Sequence, residues 1–265
     1  MTMKIDQHFK TYGYAVEFLE SIKSKCVDSI LLLADLLQLE NEASLSKIHS
    51  KLLEIFKSDK EQYTGFLKAF ANTPLIQSFS GDDSLLNLAN SCGISVPSLV
   101  TNPILHVVSD DLILNRGKVF TPAHQDVVST KGSIGQTVVW IPLHDIQPDN
   151  YGINVYPKSH LQGILPTSAS EFGHTVSEEA RPKIEKKYVE MIVGDVCIFS
   201  QYLVHETHKT GNFRLAVSFR FNDLKDQDWK KRKFFVAFGR TEDLNEYEDQ
   251  RQKAPARSEN YFKIG

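Results

Sequence analysis

The spacing of apolar residues changes near residue 97, and this change predicts the fold class. Up to about Ala71, apolar residues recur three and four positions apart, and glycine and proline are almost absent. This period is typical of amphipathic helices. A turn at residues 80–83 then leads into a short helix predicted over residues 85–91, which Gly93 and Pro97 end. The first part of the chain is therefore predicted to be helical.

Short strand-like runs separated by turn residues follow, over residues 98–222. Several short strands at such spacing predict an antiparallel sandwich or barrel. The predicted strands are residues 104–108, 137–143, 153–156, 196–199 and 214–221. We therefore predict a mainly β protein with flanking helices and one structural domain. Its parts are a helical layer (1–97), a β core that carries the chemistry (98–222) and a C-terminal lid or tail (223–265).

The charge balance and the cysteine content argue against several classes of protein. Thirty Lys and Arg residues stand against 33 Asp and Glu, a formal net charge of -3, so no broad positive field favours nucleic acid or an anionic membrane. The three cysteines, Cys26, Cys92 and Cys197, lack Cys-x-x-Cys spacing, which argues against a disulfide framework and a zinc ribbon. The N-terminus is polar and no apolar run could span a bilayer. We expect a cytoplasmic protein.

Two motifs far apart in sequence carry candidate metal ligands. His124 and Asp126 are two positions apart, so on a strand both would point to one face. A surface hydrogen-bonded pair is the simpler interpretation of this motif alone. The strand-like run at residues 194–199 then leads to His205. Two imidazoles and one carboxylate on neighbouring strands would form a facial triad that leaves the opposite coordination face for substrate and oxygen.

The strand after His205 brings arginines into the same region. A turn at residues 209–212 precedes it, and pairing across this hairpin would bring Thr207 near Arg214. Alternation places Arg214 and Arg220 on the polar face that lines the barrel, while the apolar face packs on the helices. A buried guanidinium is costly without an anion and its fork matches a carboxylate, so we expect an acidic ligand beside the metal. For Arg220 we expect an ion pair with Asp or Glu inside the barrel.

Five motifs occur in a fixed order along the β region. They are His124-Gln125-Asp126, Val139-Trp140-Ile141-Pro142-Leu143, Pro157-Lys158-Ser159-His160, Gly194-Asp195 with Phe199, and His205 followed by Arg214. This ordered set resembles the phytanoyl-CoA hydroxylase (PhyH-like) family of iron(II)/2-oxoglutarate dioxygenases over about residues 100–222. The resemblance implies a double-stranded β-helix, a cupin-like jelly-roll barrel with an N-terminal helical layer.

The resemblance also implies a role for each site residue. His124, Asp126 and His205 would be the Fe(II) ligands and form the catalytic centre. Arg214, helped by the Thr207 hydroxyl, would bind the distal carboxylate of 2-oxoglutarate. The further residues that would face the cosubstrate pocket are Trp140, Gln136 and His106. The alternative third ligand is His208, whose spacing to Arg214 is further from that of the family.

This sequence departs from the family pattern in its loops. The segment from His205 to Arg214 is shorter than is usual in the family, Tyr151 stands where a glycine usually follows Asn150, and Lys158 replaces a glycine. These departures concern loop geometry, because the residues implied as ligands are all present.

The resemblance implies an oxidoreductase, with Fe(II), 2-oxoglutarate and O2 as the reacting set. The expected reaction is hydroxylation of an unactivated C–H bond with release of succinate and CO2, and desaturation and ring closure stay open as alternatives. Halogenation is disfavoured because the Asp126 carboxylate fills the position that a halide would need. The expected substrate is a small, polar, anionic metabolite such as a sugar, a glycan precursor or a natural-product intermediate. Lys118, Lys131 and Lys158 would either ring the barrel mouth and meet this anion or stand as ordinary solvated lysines.

Two alternatives from other functional classes remain open in the sequence. A metal-dependent jelly-roll sugar isomerase or lyase would use similar histidines but would not need Arg214 after the last ligand. A non-catalytic jelly-roll binding protein would not need the intact set of His124, Asp126 and His205. In each case the expected partner is a small molecule, with no nucleic acid and no membrane.

Overall fold

The structure is a computed structural model of the 265-residue chain and describes residues 4–39, 44–112, 120–170 and 173–236. These residues form eight α-helices, six of which precede residue 97, as the periodicity predicts. The helices are α1 Ile5–Tyr12, α2 Glu20–Leu36, α3 Leu45–Ser58, α4 Lys60–Ala71, α5 Pro74–Gln77, α6 Asp83–Ser91, α7 Val127–Thr130 and α8 Gln227–Lys231.

The described residues also form eleven β-strands. The strands are β1 Tyr14–Phe18, β2 Pro97–Leu99, β3 Ile104–Val108, β4 Thr137–Pro142, β5 Ile153–Val155, β6 Thr167–Ser170, β7 Gly173–Val176, β8 Lys187–Tyr188, β9 Asp195–Ser200, β10 His205–Thr207 and β11 Arg214–Asp223. All five strands predicted from the sequence are present, with bounds that differ by at most two residues. The protein is therefore mainly antiparallel β with flanking helices.

Two antiparallel sheets face each other and form the jelly roll. The larger has the order β1-β9-β4-β11-β2, with β3 pairing alongside β2 on the same edge of β11, and the smaller has the order β10-β5-β8. Val138, Trp140 and Phe199 of the larger sheet belong to one buried cluster with Ile153 and Val155 of the smaller sheet. Strands β6 and β7 form a separate hairpin.

The helices cover the outer face of the larger sheet. Alternate residues of β11 pack there with side chains of α2, α3, α4 and α6 in one continuous core, as the alternation predicts. These β11 residues are Leu215, Val217, Phe219 and Phe221. Each of them is almost fully buried, and burying a side chain of this size contributes about 1.5–3 kcal/mol. Because successive strand residues face opposite ways, this packing turns the polar residues of β11 towards the smaller sheet.

Strand β1 lies inside the segment that was predicted to be wholly helical, so that prediction is wrong for five residues. It pairs with β9 and adds an edge to the larger sheet. Gly13 separates α1 from β1 with a positive φ of 84°, and a Cβ there would lie 2.4 Å from the His160 ring. Because α1 ends in a left-handed turn against another side chain, only glycine fits this position. Through β1, the chain of the helical layer thus joins the larger sheet.

The predicted pairing of β10 with β11 is also wrong. Strand β10 pairs with β5 in the smaller sheet, with His205 opposite Val155 and Thr207 opposite Ile153, whereas β11 belongs to the larger sheet. The segment between the two strands therefore crosses from one sheet to the other. Turn residues in a short connection favour a hairpin locally, but the sandwich pairs strands that are distant in sequence.

The start of the C-terminal segment packs against the loop that follows α7. The Arg232 guanidinium donates hydrogen bonds to the carbonyls of Lys131 and Gly132, each at 2.8 Å. Residues 237–265 lie outside the described residues, so the lid or tail and the division into three parts stay predictions. Within the described part of the chain, no helix has both the length and the apolar character to cross a bilayer.

Asp82 joins α6 to α2 through a buried carboxylate. It caps α6 by accepting hydrogen bonds from the backbone N–H groups of Ser84 and Leu85, at 3.0 and 3.2 Å. It also accepts a hydrogen bond from the Ser21 hydroxyl and pairs with the Lys25 ammonium. Burial alone would raise the pKa of Asp82, but these hydrogen bonds and the Lys25 charge outweigh it and lower that pKa.

We expect Asp82→Ala to lower the free energy of unfolding at pH 7 by about 2 kcal/mol, because it removes a helix cap and leaves Lys25 unpaired. A carboxyl whose pKa is lowered by folding stabilises the fold above its unfolded pKa, and this stabilisation is lost as the pH falls through the folded value. The difference from wild type should therefore shrink below about pH 4 in urea titrations. Asp83→Ala, one residue away and exposed, is the control and should change the free energy little at any pH. A pH-independent difference for Asp82→Ala would contradict the ionic contribution.

Candidate active site

Three side chains predicted as ligands converge at one end of the space between the two sheets. The ligand atoms of His124, Asp126 and His205 all lie within 4.8 Å of one another. Nε2 of His124 is 3.4 Å from Oδ1 of Asp126, a separation that an ion about 2.1 Å from each atom could bridge. Among the described residues this is the cluster with metal-ligand character.

A backbone bridge holds the two histidines side by side. The N–H of His124 donates to the carbonyl of His205 at 3.0 Å, and the N–H of His205 donates to the carbonyl of His124 at 3.1 Å. The two imidazole centroids are consequently 4.1 Å apart. This bridge ties the chain before α7 to β10, so residues distant in sequence reach one point.

Hydrogen bonds at Nδ1 orient both rings. His124 Nδ1 is 2.9 Å from the Pro122 carbonyl, and His205 Nδ1 is 3.1 Å from the Leu203 carbonyl. Because a carbonyl only accepts, each Nδ1 carries the proton and each Nε2 keeps a lone pair for a metal. Burial, together with the neighbouring His124, lowers the pKa of His205 to about 3, so this imidazole is neutral at physiological pH.

Asp126 reaches the cluster by a route that differs from the sequence prediction. It is not on a strand: its φ of -66° and ψ of -29° are helical, and it immediately precedes α7. The chain therefore turns between His124 and Asp126, and the shared strand face expected for the pair is wrong. The carboxylate still faces His124 because the turn carries its side chain back towards the bridge.

Arg220 binds the outer oxygen of this carboxylate. Its Nε donates to Oδ2 of Asp126 at 2.8 Å, which leaves Oδ1 towards His124. The ion pair expected for Arg220 is thus present, and its partner is itself a candidate ligand. Burial would raise the pKa of Asp126, but Arg220 and the two histidines hold it well below its usual value. Asp126 is therefore an anion with one oxygen free for a metal.

Arg214 is a buried cation that has no acidic partner within the described part of the chain. Its Nη1 donates to the carbonyls of Tyr151 and Gly152 at 3.0 and 3.1 Å, and its guanidinium lies over the Trp140 ring, 5.7 Å from the centroid. Its Nε is buried with no hydrogen-bond partner among the described residues. Burial lowers the pKa of Arg214 to about 10, so the charge remains at neutral pH. An anion in the cavity would satisfy both the charge and the unpaired donor.

One cavity of about 160 Å³ connects these groups. Its wall contains both candidate imidazole ligands and Arg214, and Thr207, Trp140 and His106 also line it. Thr207 accepts a hydrogen bond from the Thr121 N–H at 3.3 Å, and His106 is hydrogen-bonded to the Ser218 hydroxyl at 2.7 Å. Burial and the nearby arginines lower the pKa of His106 to about 3, so it enters the cavity as a neutral polar group.

Two residues that the sequence suggested for the site, Gln136 and His208, lie outside the cavity wall and the ligand cluster. Gln136 is not in the cavity wall, and its amide donates to the Thr130 hydroxyl at 2.9 Å. It precedes the first residue of β4, where the chain still faces α7, so its expected place beside the cosubstrate is wrong. His208, the alternative ligand, is hydrogen-bonded to Asn154 and to Thr210 and is not part of the cluster. His205 thus occupies the position of the third ligand.

The apolar part of the cavity wall was not predicted from the sequence. Val138 and Ile153 line the cavity, and Phe199 packs on His205 with ring centroids 4.6 Å apart. The period of two along β4 could have indicated Val138, because it shares a face with Trp140. Of the three lysines considered for the mouth, Lys131 and Lys158 do not line the cavity, and Lys118 lies outside the described residues.

The fold and the cavity together define a class. An antiparallel jelly roll with a His/Asp/His cluster facing a buried cavity is the architecture of non-haem iron oxygenases. The sequence profile of the phytanoyl-CoA dioxygenase (PhyH) family matches residues 106–216, which include all three candidate ligands and Arg214. Residues 106–216 therefore match the PhyH family, and the fold and the site are those of non-haem iron, 2-oxoglutarate-dependent enzymes.

Solved structures share this fold at low sequence identity. A non-haem monooxygenase, ThoJ, is 15% identical with a TM-score of 0.59, over 84% of this chain and 78% of its own. EctD from S. alaskensis, with 2-oxoglutarate and 5-hydroxyectoine, is 14% identical with a TM-score of 0.55, over 85% and 77%. The epimerase SnoN, in complex with Fe3+, alpha-ketoglutarate and nogalamycin RO, is 16% identical with a TM-score of 0.52, over 83% and 82%. No curated protein sequence matches this chain.

We expect His124→Ala to weaken Fe(II) binding by about 100-fold or more, because it removes a candidate ligand that the backbone bridge holds in place. The measurement is anaerobic equilibrium dialysis of the purified protein against Fe(II). His208→Ala is the matched control, since His208 is a half-buried histidine three residues after His205 that lies outside the cluster. Equal weakening in both variants would contradict the assignment of the ligand set.

Proposed function

We propose that the protein is an iron(II)/2-oxoglutarate-dependent oxygenase that hydroxylates an unactivated C–H bond of a small polar metabolite. The observation that carries the proposal is Arg214, a buried guanidinium without a carboxylate partner among the described residues, in the same cavity as His124 and His205. A cation in this environment needs an anion, and a dicarboxylate that also reached the metal would supply one.

The three ligands leave part of the metal's coordination sphere open. His124, Asp126 and His205 would bind iron(II) through two neutral imidazoles and one carboxylate oxygen, as a facial set. When bound, iron(II) with 2-oxoglutarate and O2 supplies oxidative decarboxylation, in which one oxygen atom enters succinate and the other enters the C–H bond while CO2 leaves. The carboxylate of Asp126 occupies the position that a halide would need, which favours hydroxylation over halogenation.

Arg214 and Thr207 would orient the cosubstrate. Two carbonyls fix Nη1 of Arg214, and the Trp140 ring lies under the guanidinium, so the edge that contains the unpaired Nε is held in one orientation. Such an edge can bind a carboxylate through two parallel hydrogen bonds. The Thr207 hydroxyl, which lines the same cavity, can donate a further hydrogen bond because its observed contact uses it as an acceptor.

The apolar wall would keep water from the reacting atoms. Val138, Ile153 and Phe199 present only carbon to the cavity, and Phe199 also packs against the His205 ring. Water exclusion strengthens the electrostatic interactions inside the cavity and protects reactive groups from side reactions. These residues therefore support the fixed positions of the ligands and of Arg214.

The comparisons support the cosubstrate more directly than the reaction. Structures with this fold contain Fe3+ and alpha-ketoglutarate in SnoN and 2-oxoglutarate in EctD. The functions of these related structures differ, since SnoN is an epimerase and ThoJ a monooxygenase. We propose hydroxylation on the basis of Asp126, and a small molecule as substrate on the basis of the size of the cavity. In a sugar isomerase, or in a binding protein without iron, no 2-oxoglutarate would be present to neutralise the buried charge of Arg214.

Anaerobic addition of Fe(II) and 2-oxoglutarate should give a weak charge-transfer band at about 500 nm if the cosubstrate chelates the metal. We expect Arg214→Gln to raise the dissociation constant of 2-oxoglutarate by about 100-fold, because its distal carboxylate loses a charged partner, while Fe(II) affinity stays within about threefold.

The control for this variant is Arg181→Gln, which removes a guanidinium that is not in the cavity wall and should leave the band unchanged. Succinate release above the uncoupled background, measured over a panel of metabolites, then identifies the substrate. Unchanged 2-oxoglutarate affinity in Arg214→Gln, or no band in the wild type, would contradict the proposal.

A further inference from the structure

We propose that Arg220 recognises a carboxylate group of the substrate, so that the enzyme selects monoanionic acids over their neutral analogues. This inference rests on the proposed function, since it concerns the same cavity with iron and 2-oxoglutarate in place. It arises from the contacts of Arg220, from its distance to Arg214 and from the balance of charge in the cavity.

Arg220 has hydrogen-bond donors that the protein does not use. Its Nε donates to Asp126, but its Nη1 is buried and has no hydrogen-bond partner among the described residues. The side chain is 14% exposed and lines the cavity. A guanidinium carries five N–H donors, and the edge formed by the Nη atoms can bind a carboxylate while Nε stays on Asp126.

The two arginines enter the cavity from different places on β11. Arg214 and Arg220 are on the same face of β11, six residues apart, which places their Cα atoms about 20 Å from each other. Arg214 lies over Trp140, whereas Arg220 contacts the metal-ligand candidate Asp126. A five-carbon dicarboxylate has two carboxylates, which Arg214 and the metal would bind, so we assign the Nη edge of Arg220 to the substrate.

The charges in the cavity leave one positive charge without a counterion. Glu206 lines the cavity but is neutralised by Lys186, whose Nζ is 2.6 Å from its carboxylate. Two arginines and a ferrous ion supply four positive charges, and Asp126 with 2-oxoglutarate supplies three negative ones. A substrate with a single negative charge near Arg220 closes this balance. A phosphate dianion would reverse the excess, so a carboxylate fits better than a phosphate ester.

The alternative is that Arg220 acts only on Asp126. Its Nε fixes Oδ2 and so directs Oδ1 towards the metal, which would make Arg220 a positioning residue with no contact to substrate. The two roles differ in what they predict for a ligand. A positioning residue alters metal binding and leaves the preference between an acid and its amide unchanged, whereas a recognition residue alters that preference.

The test compares matched acids and amides on protein loaded with Zn(II), which is inert to oxygen, and saturating 2-oxoglutarate. The probes are benzoate and benzamide, cyclohexanecarboxylate and its amide, gluconate and gluconamide, with glucose 6-phosphate as the dianion. Ligand signals in nuclear magnetic resonance titrations give the dissociation constants. In the wild type we expect at least one acid to bind about tenfold more tightly than its amide and the phosphate to bind more weakly than gluconate.

The variants separate the two roles of the arginine. We expect Arg220→Gln to reduce the preference for the acid to less than about threefold and Arg220→Lys to retain most of it, because lysine keeps the charge but not the fork. Arg181→Gln should keep the full preference. If Arg220→Gln fails to fold or to retain Zn(II), the wild type and Arg220→Lys still test the inference. The wild type must bind an acid more tightly than its amide, and Arg220→Lys must keep most of that preference.

Three outcomes would overturn the inference. They are equal binding of acid and amide in the wild type, no binding of any acid, and an unchanged preference in Arg220→Gln, which would mean that the acid contacts the metal directly. Failure of the proposed function would look different. In that case the iron-loaded wild type would give no charge-transfer band with 2-oxoglutarate, whatever the acids did.

Discussion

The backbone bridge between His124 and His205 is the contact on which the site depends. Two reciprocal hydrogen bonds join the segment before α7 to the smaller sheet, and both imidazoles are then oriented by carbonyls of their own segments. The metal ligands are thus held by main-chain geometry before any metal binds. Asp126 follows within two residues, so the same bridge also fixes the start of the turn that delivers the carboxylate.

Strand β11 supplies the positive charge of the cavity. Its outer face holds the helical layer through four apolar side chains, and its inner face carries Arg214 and Arg220. Packing of the helices therefore sets the position of both guanidinium groups. The two differ in their partners among the described residues: Arg220 has a carboxylate, whereas Arg214 has two carbonyls and an aromatic face. This difference is the physical reason to assign the cosubstrate to Arg214.

The sequence predicted the parts of the fold and site that depend on local chemistry. Period and turn residues predicted the helical layer and five of the strands, and residue type predicted His124, Asp126, His205 and Arg214. Contacts between distant segments were not predictable in the same way. Strand β10 pairs with β5 although turn residues favoured β11, and Arg220 finds Asp126, from which 94 residues separate it. Gln136 was misplaced because it precedes β4 and its amide is hydrogen-bonded to Thr130 instead of facing the cavity.

A crystal structure of the protein grown with Mn(II) and 2-oxoglutarate tests the central claim most directly. The account predicts anomalous density at the manganese edge within bonding distance of Nε2 of His124, an oxygen of Asp126 and Nε2 of His205. It also predicts that the distal carboxylate of 2-oxoglutarate lies on the guanidinium of Arg214. Manganese bound elsewhere, the His205 ring turned away from the cluster, or the carboxylate placed away from Arg214 would contradict the account.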